Sequence, residues 1–280
     1  MFHPHRRLLA IGVLVALARP GSANQQAPRS CPASAAPVAV WRLPNELREV
    51  SGLGASEEAG LYAHSDEAGR LLQLDGKTGR VLGRLTLQGT PKDDFEGLTL
   101  TPELAVLMTS GGRLYTFGLA SGTLATPYRI IETGLGRSCE LEGLAWDPSG
   151  GFLLLPCKAG RVPATMAGLT IHRWSLADAK PARSIVVSPQ ELARVAGTPR
   201  IRATGVEVDP VTGNVVVLSS RPRMLLSVGA EGRVKGVMRL RERDHPQPEG
   251  LAITRDAVYI GDEGVGRQGT ITVYRCEGSR

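Results

Sequence analysis

One short phrase recurs along this chain and holds most of its candidate chemistry. It reads Glu49-Val-Ser-Gly-Leu53, Asp94-Phe-Glu-Gly-Leu98, Glu140-Leu-Glu-Gly-Leu144, Ala203-Thr-Gly-Val206 and Gln247-Pro-Glu-Gly-Leu251. Aligned on the glycine, the phrases place Ser51, Glu96, Glu142, Thr204 and Glu249 at one level. If the segments surround an axis, three carboxylates and two hydroxyls converge there. Carboxylates held close repel one another and raise each other's pKa. A hard divalent cation removes that penalty. Calcium takes six to eight oxygens in flexible geometry, whereas magnesium demands a tight octahedron. Glu96, Glu142 and Glu249 are therefore the expected core of a calcium site. The alternative needs no metal: a glutamate before glycine can hydrogen-bond backbone amides of the neighbouring unit.

A second polar set follows the next strand of each unit: Asp66-Glu67, Ser110, Lys158, Ser219-Ser220 and Asp262-Glu263. Glu67 and Glu263 are expected to complete the metal cage. Ser51, Asp66, Thr204 and Asp262 are expected at the channel mouth. Lys158 joins them there as the odd member, able to pair with a ring glutamate and displace a cation. Glu49, Asp94 and Glu140 stand two residues before their ring positions, which on a strand puts them on the same face as an outer tier.

The spacing of the phrases specifies what must position them. Gly52, Gly97, Gly143, Gly205 and Gly250 are separated by 45, 46, 62 and 45 residues. Each phrase opens a short apolar strand, and further short strands and glycine-bearing turns follow. A period in this range with strands inside each unit predicts a β-propeller. The expected fold is all-β, with five blades; six is the alternative if the long interval hides a degenerate blade. An insertion is the preferred reading there, because Ser188 to Val195 has the form of a short capped helix. The last unit has no room for its fourth strand. Val38-Ala-Val-Trp41, ahead of the first phrase, can supply it and leave no open sheet edge.

Composition and the chain start set further bounds. The chain has 280 residues, 42% hydrophobic and only 4% aromatic, so the core must be built from Leu, Val and Ile. A basic start through Arg7, an apolar run from Leu8 to Ala18 and small residues to Ala23 predict a secretory signal over 1–23. An uncleaved anchor is the other reading of that run. A polar segment follows over 24–37, and the propeller domain is expected over 38–280. The protein is thus expected to be exported, periplasmic or secreted, with no integral membrane segment once the signal is removed. Four cysteines in an oxidising compartment favour disulfides. Cys139 and Cys157 flank one hairpin, and Cys31 and Cys276 lie near the two mature ends, so these pairings are expected; free thiols are the alternative. His64, His172 and His245 have no metal spacing and are read as surface or packing residues. Mixed-sign arginine stretches and scarce aromatics argue against nucleic acid, and no Gly-Xaa-Ser-Xaa-Gly elbow supports acyl transfer.

These phrases, the run Cys139-Glu-Leu-Glu-Gly-Leu144, the serine pair Ser219-Ser220, and Gln247-Pro-Glu-Gly-Leu251 followed by Tyr259-Ile-Gly-Asp-Glu263 resemble the SdiA-regulated (YjiK-like) family. The resemblance implies a five-bladed propeller, distantly similar to NHL repeats, with a bound calcium ion and no established catalysis. A looser similarity links the phrases to esterase-like phytase propellers. Two function classes follow. The first is a calcium-binding propeller that takes an unknown small molecule or protein at its channel mouth. The second is a calcium-dependent hydrolase of an ester, lactone or phosphoester, using the same carboxylates.

Overall fold

The computed structural model describes Met1 and residues 36–119, 125–163, 165 and 167–276. The expected signal, most of the 24–37 segment and Cys31 lie outside the described residues. A first strand, β1 (Ala39–Arg42), precedes the first phrase. Blade 1 is β2 (Val50–Ser56), β3 (Gly60–Ser65), β4 (Arg70–Leu74) and β5 (Val81–Thr86). Blade 2 is β6 (Phe95–Leu100), β7 (Ala105–Thr109), β8 (Arg113–Phe117) and β9 (Tyr128–Glu132). In blade 3 the innermost strand is split into β10 (Cys139–Leu141) and β11 (Ala145–Asp147), followed by β12 (Phe152–Gly160), β13 (Leu169–Ser175) and β14 (Lys180–Val187). Blade 4 is β15 (Arg202–Val208), β16 (Val215–Arg221), β17 (Arg223–Val228) and β18 (Val234–Arg239). Blade 5 is β19 (Pro248–Ile253), β20 (Ala257–Asp262) and β21 (Thr270–Arg275).

Each blade is an antiparallel meander, and β1 completes blade 5 by pairing with β21, Ala39 opposite Val273 and Arg42 opposite Thr270. The fold is therefore the five-bladed propeller, closed by the N-terminal strand. The 62-residue interval holds an insertion, not a sixth blade. It contains α1 (Pro189–Ala196), whose cap residue Ser188 accepts the Glu191 N–H at 3.1 Å through its Oγ. Leu192 and Ala196 of α1 enter the core between blades 3 and 4.

Burial follows position in the blade. The inner strand β7 is buried along its whole length and reads as a continuous apolar run, Ala-Val-Leu-Met. The outer strand β5 alternates between sheltered and exposed residues. The core is five clusters, one at each blade junction. Phe95 and Tyr115 of blade 2 meet Leu71 and Leu87 of blade 1, for example, and Tyr274 of blade 5 meets Leu218 of blade 4.

Around the axis the innermost strands approach closer than side chains normally permit. A Cβ on Gly97 would lie 2.8 Å from the Leu144 Cβ and backbone nitrogen, and one on Gly143 would lie 2.7 Å from the Gly205 Cα. Gly143 also has φ +85°, a conformation that other residues rarely adopt. The phrase glycines of blades 2 to 5 are thus blade-to-blade contacts, whereas Gly52 makes room for His64 of its own blade. Gly143→Ala is expected to cost about 3 kcal/mol or more, combining left-handed strain with overpacking against backbone. Gly213→Ala shares the positive φ (+70°) but has nothing within 4 Å, so it should cost only about 1–2 kcal/mol. Urea denaturation midpoints compare the two; equal losses would refute the close-approach argument.

Candidate functional site

The ring residues share one backbone device. In blades 1, 2, 4 and 5 the ladder between first and second strands slips between Val50 and Gly52, Phe95 and Gly97, Ala203 and Gly205, and Pro248 and Gly250. The residue left out of register is Ser51, Glu96, Thr204 or Glu249. A bulge of this kind bends the strand and re-aims the side chain it carries. The phrase therefore reads physically as bulge residue, close-contact glycine, core aliphatic.

Blade 3 goes further. Leu141 pairs with Cys157 and Ala145 with Leu154, which leaves Glu142, Gly143 and Leu144 outside the ladder. Opposite them stands Pro156, which has no N–H to donate. Its carbonyl instead accepts the Glu142 N–H at 3.2 Å, and the Gly143 N–H crosses to Glu96 O of blade 2 at 2.6 Å. Glu142 is turned inward and is 1% exposed. Its carboxylate meets the ammonium of Lys158, which also lies 3.6 Å from Glu140 Oε1. A disulfide joins Cys139 to Cys157 with their Cα atoms 5.6 Å apart. It fastens the strand carrying Glu140 to the strand carrying Lys158. The expected Cys31–Cys276 bond involves a residue outside the described ones.

The electrostatics are those of many acids around one base. Burial, then the neighbouring Glu142, pushes Glu96 up to about 9, against the pull of Lys158. Burial raises Glu142 as well, reinforced by Glu249 beside it, and burial raises Glu249. At the rim Asp66 is raised by burial and by Glu49, and Glu263 by burial, Glu49 and Asp66. Burial works to lower Lys158, but Glu142, Glu249 and Glu96 outweigh it and hold the ammonium above the ordinary lysine range. The charged form of Lys158 is thus favoured, and the carboxyls around it hold their protons more tightly than solvated carboxyls do.

The other expected site residues are distributed unevenly. Glu263 is at the mouth, where Gln247 donates to its Oε2. Ser110 donates to Asp94 there. Asp66 lies beside them, and its backbone carbonyl accepts the Phe95 N–H at 3.0 Å. Ser51 donates to Glu49 O at 3.3 Å and lines the axial channel. Glu67 is exposed, lines a groove with Arg48, Glu49 and Arg70, and adds to the charge that raises Asp66. Thr204 is fully buried and spends its hydroxyl on Pro248 O at 2.7 Å, tying blade 4 to blade 5. Asp262 is not at the mouth, because β20 turns it inward while Glu263 faces out. It contacts His245 Nδ1 at 2.8 Å, and His245 Nε2 contacts the Tyr274 hydroxyl at 2.6 Å. His245 and Asp262 are buried, so this chain is a packing device between blades 4 and 5. Its one sequence signal was a histidine just ahead of the last phrase.

Below the ring the channel is closed. The space lined by Gly52, Gly97, Gly143, Gly205 and the following aliphatics has a volume of about 10 Å³, barely that of one water. Among the described residues no three His, Cys, Asp or Glu side chains form a ready-made metal cage. The donor set nonetheless has the chemistry of a hard-cation site. It is oxygen-only, and Glu142 Oε1, Glu249 Oε2 and Asp66 Oδ1 are buried without a hydrogen bond of regular geometry. The Lys158 ammonium supplies positive charge among these acids.

Among known proteins, the model of the SdiA-regulated family matches residues 42–264. No curated protein matches the chain. A crystal structure of Myxococcus xanthus glutaminyl cyclase is similar at TM-score 0.59 and 15% identity, covering 86% of this chain and 95% of that one. A luciferin-regenerating enzyme is similar at TM-score 0.52 and 11% identity, with the same coverage of 86% and 95%. Identities this low establish a common fold alone.

The raised carboxyls give a pH dependence with a definite sign. The folded pKa of Glu96, about 9, lies above its ordinary 4.5, so the folded chain holds the proton after the unfolded chain has lost it. Stability from this group is complete below about 4.5 and is lost as pH rises through about 9. In chelator-treated protein, Glu96→Gln should melt above wild type, with a gap that widens from pH 5 to 9. A gap that is flat with pH, or reversed, would contradict the assignment.

Proposed function

The chain belongs to the SdiA-regulated family, and we propose that it is an exported calcium-binding propeller that holds a small molecule or protein at the mouth of its channel. The observation that carries this reading is the convergence of Glu96, Glu142 and Glu249 on one end of a plugged channel, with carboxyls raised by burial and by one another. A buried acid cluster is costly to a fold unless it meets a cation. Glu96, Glu142 and Glu249 would hold the ion, with Glu263 at the rim. Bound calcium would supply fixed positive charge able to attract an oxygen-rich ligand. Lys158 would pair with Glu142 when calcium is absent and yield it when calcium enters. Gln247 orients Glu263, and the Cys139–Cys157 disulfide keeps Glu140 and Lys158 on adjoining strands. Export is supported by the basic, apolar and small-residue order of the chain start and by a buried disulfide. No helix among the described residues is long and apolar enough to cross a membrane.

Thermal melting and calorimetry of the full chain with calcium or chelator test the reading. Calcium at a hundred times its Kd should add about 2.7 kcal/mol of stability. The gain should vanish in Glu142→Gln. Lys158→Met removes the competing ammonium and should bind calcium more tightly than wild type. If millimolar calcium shifts neither wild type nor Lys158→Met, the cation reading fails.

A further inference from the structure

At the opposite end of the channel the innermost strands run out around a second cavity, of about 260 Å³. It is separated from the carboxylate ring by the glycine–aliphatic plug, so the two sites do not communicate. Four blades each give it an apolar wall residue, Leu100, Trp146, Val208 and Ile253, and Thr99, Thr254 and the pair Glu57 and Arg255 lie among them. Glu207 is the buried acid in this lining. Its counterparts on the other innermost strands, in phase with the phrase, are Gly54, Thr99, Ala145 and Ala252. Four blades thus place a small residue where the fifth places a carboxylic acid.

Packing gives no reason for that acid. Glu207 is 8% exposed, and its Oε1 accepts only the neighbouring Val208 N–H, at 2.9 Å. Among the described residues no cation pairs with it. The other charged residues lining the cavity are Arg255 and Glu57, and they meet each other at 2.8 Å. Burial pushes Glu207 up to about 8, with only the Val208 N–H opposing. A buried acid lacking a counter-ion, set in a cavity with aliphatic and aromatic wall residues, is complementary to an ammonium on a compact apolar body. The volume lies just below the usual range for ligand pockets, about 300–1,000 Å³, so the body must be small.

We propose that this cavity is a binding site for a small organic monocation, a primary amine with a compact apolar group, whose ammonium pairs with Glu207 and whose body lies against Trp146.

Benzylamine is the probe and benzyl alcohol its neutral counterpart, both titrated into the full chain by calorimetry and tryptophan fluorescence. The amine should bind, and the alcohol should bind about tenfold more weakly or worse. Glu207→Gln should lose the amine by a similar factor. That variant keeps the shape and removes a buried acid, so it should melt no lower than wild type at pH 7; its folding is thereby checked independently of binding. Near neutral pH the amine must draw the Glu207 proton off. Calorimetry in two buffers of different ionisation enthalpy should therefore register close to one proton released in wild type and none in Glu207→Gln. Equal binding of amine and alcohol, amine binding unchanged in Glu207→Gln, or no binding of benzylamine at millimolar concentration would each overturn the proposal.

Discussion

The constraint on which this structure depends is the distance between innermost strands at the axis. Five strands can meet there only if one residue on each has no side chain in the way. Gly97 against Leu144, Gly143 against Gly205 and Gly250 against Leu53 are the places where this is satisfied. Because the strands come so close, the channel is sealed and becomes two separate mouths. The bulge just ahead of each glycine then sets what one mouth contains. A ladder slip of one residue frees Ser51, Glu96, Thr204 and Glu249 from the sheet's alternation. A backbone requirement of the fold and the chemistry of the site are thus met by adjacent residues.

Electrostatics at the ring follow from numbers and enclosure. Among the described residues Lys158 alone faces Glu96, Glu142 and Glu249, and Glu140 lies close by. One ammonium cannot neutralise that set. The balance must come from protons or from an incoming cation, and burial makes either choice energetically consequential. The disulfide contributes rigidity at the same spot, so the base cannot drift from the acids as strands breathe.

Much of this is legible in the amino-acid sequence itself. The repeated phrase marks the five blades, Val38 to Trp41 supplies the closing strand, and Ser188 with Pro189 marks the start of α1. Each depends on local pattern, and local pattern survives into the fold. What escaped depends on register and on partners far along the chain. Alternation alone does not reveal that bulges reset the facing of the ring residues. Nor does it tell Asp262 from Glu263: the two are adjacent acids, yet β20 buries the first against His245 and leaves the second at the mouth. Thr204 aligns with the glutamates, but its short side chain reaches only Pro248 O. Pro156 was the one readable sign that the blade 3 ladder is broken opposite Glu142. Glu207 could have been singled out by carrying the phrase alignment one residue further, where it replaces Gly, Thr and Ala.

The pairing of β1 with β21 has a consequence for how the chain is made. Blade 5 lacks its outermost strand until the two extremities of the domain meet, a contact spanning residues 39 to 273. On synthesis from the N-terminus, β1 emerges first and must wait for β21, the last strand, before it has a partner. Until then the growing protein is an open arc with unpaired strand edges, the kind of surface on which neighbouring chains add strands to one another. Closing so long a loop carries an entropy cost that grows only slowly with length, so delay is the greater hazard. Chains cut short anywhere before Thr270 would lack the ladder that receives β1, and would be candidates for aggregation or proteolysis during biogenesis.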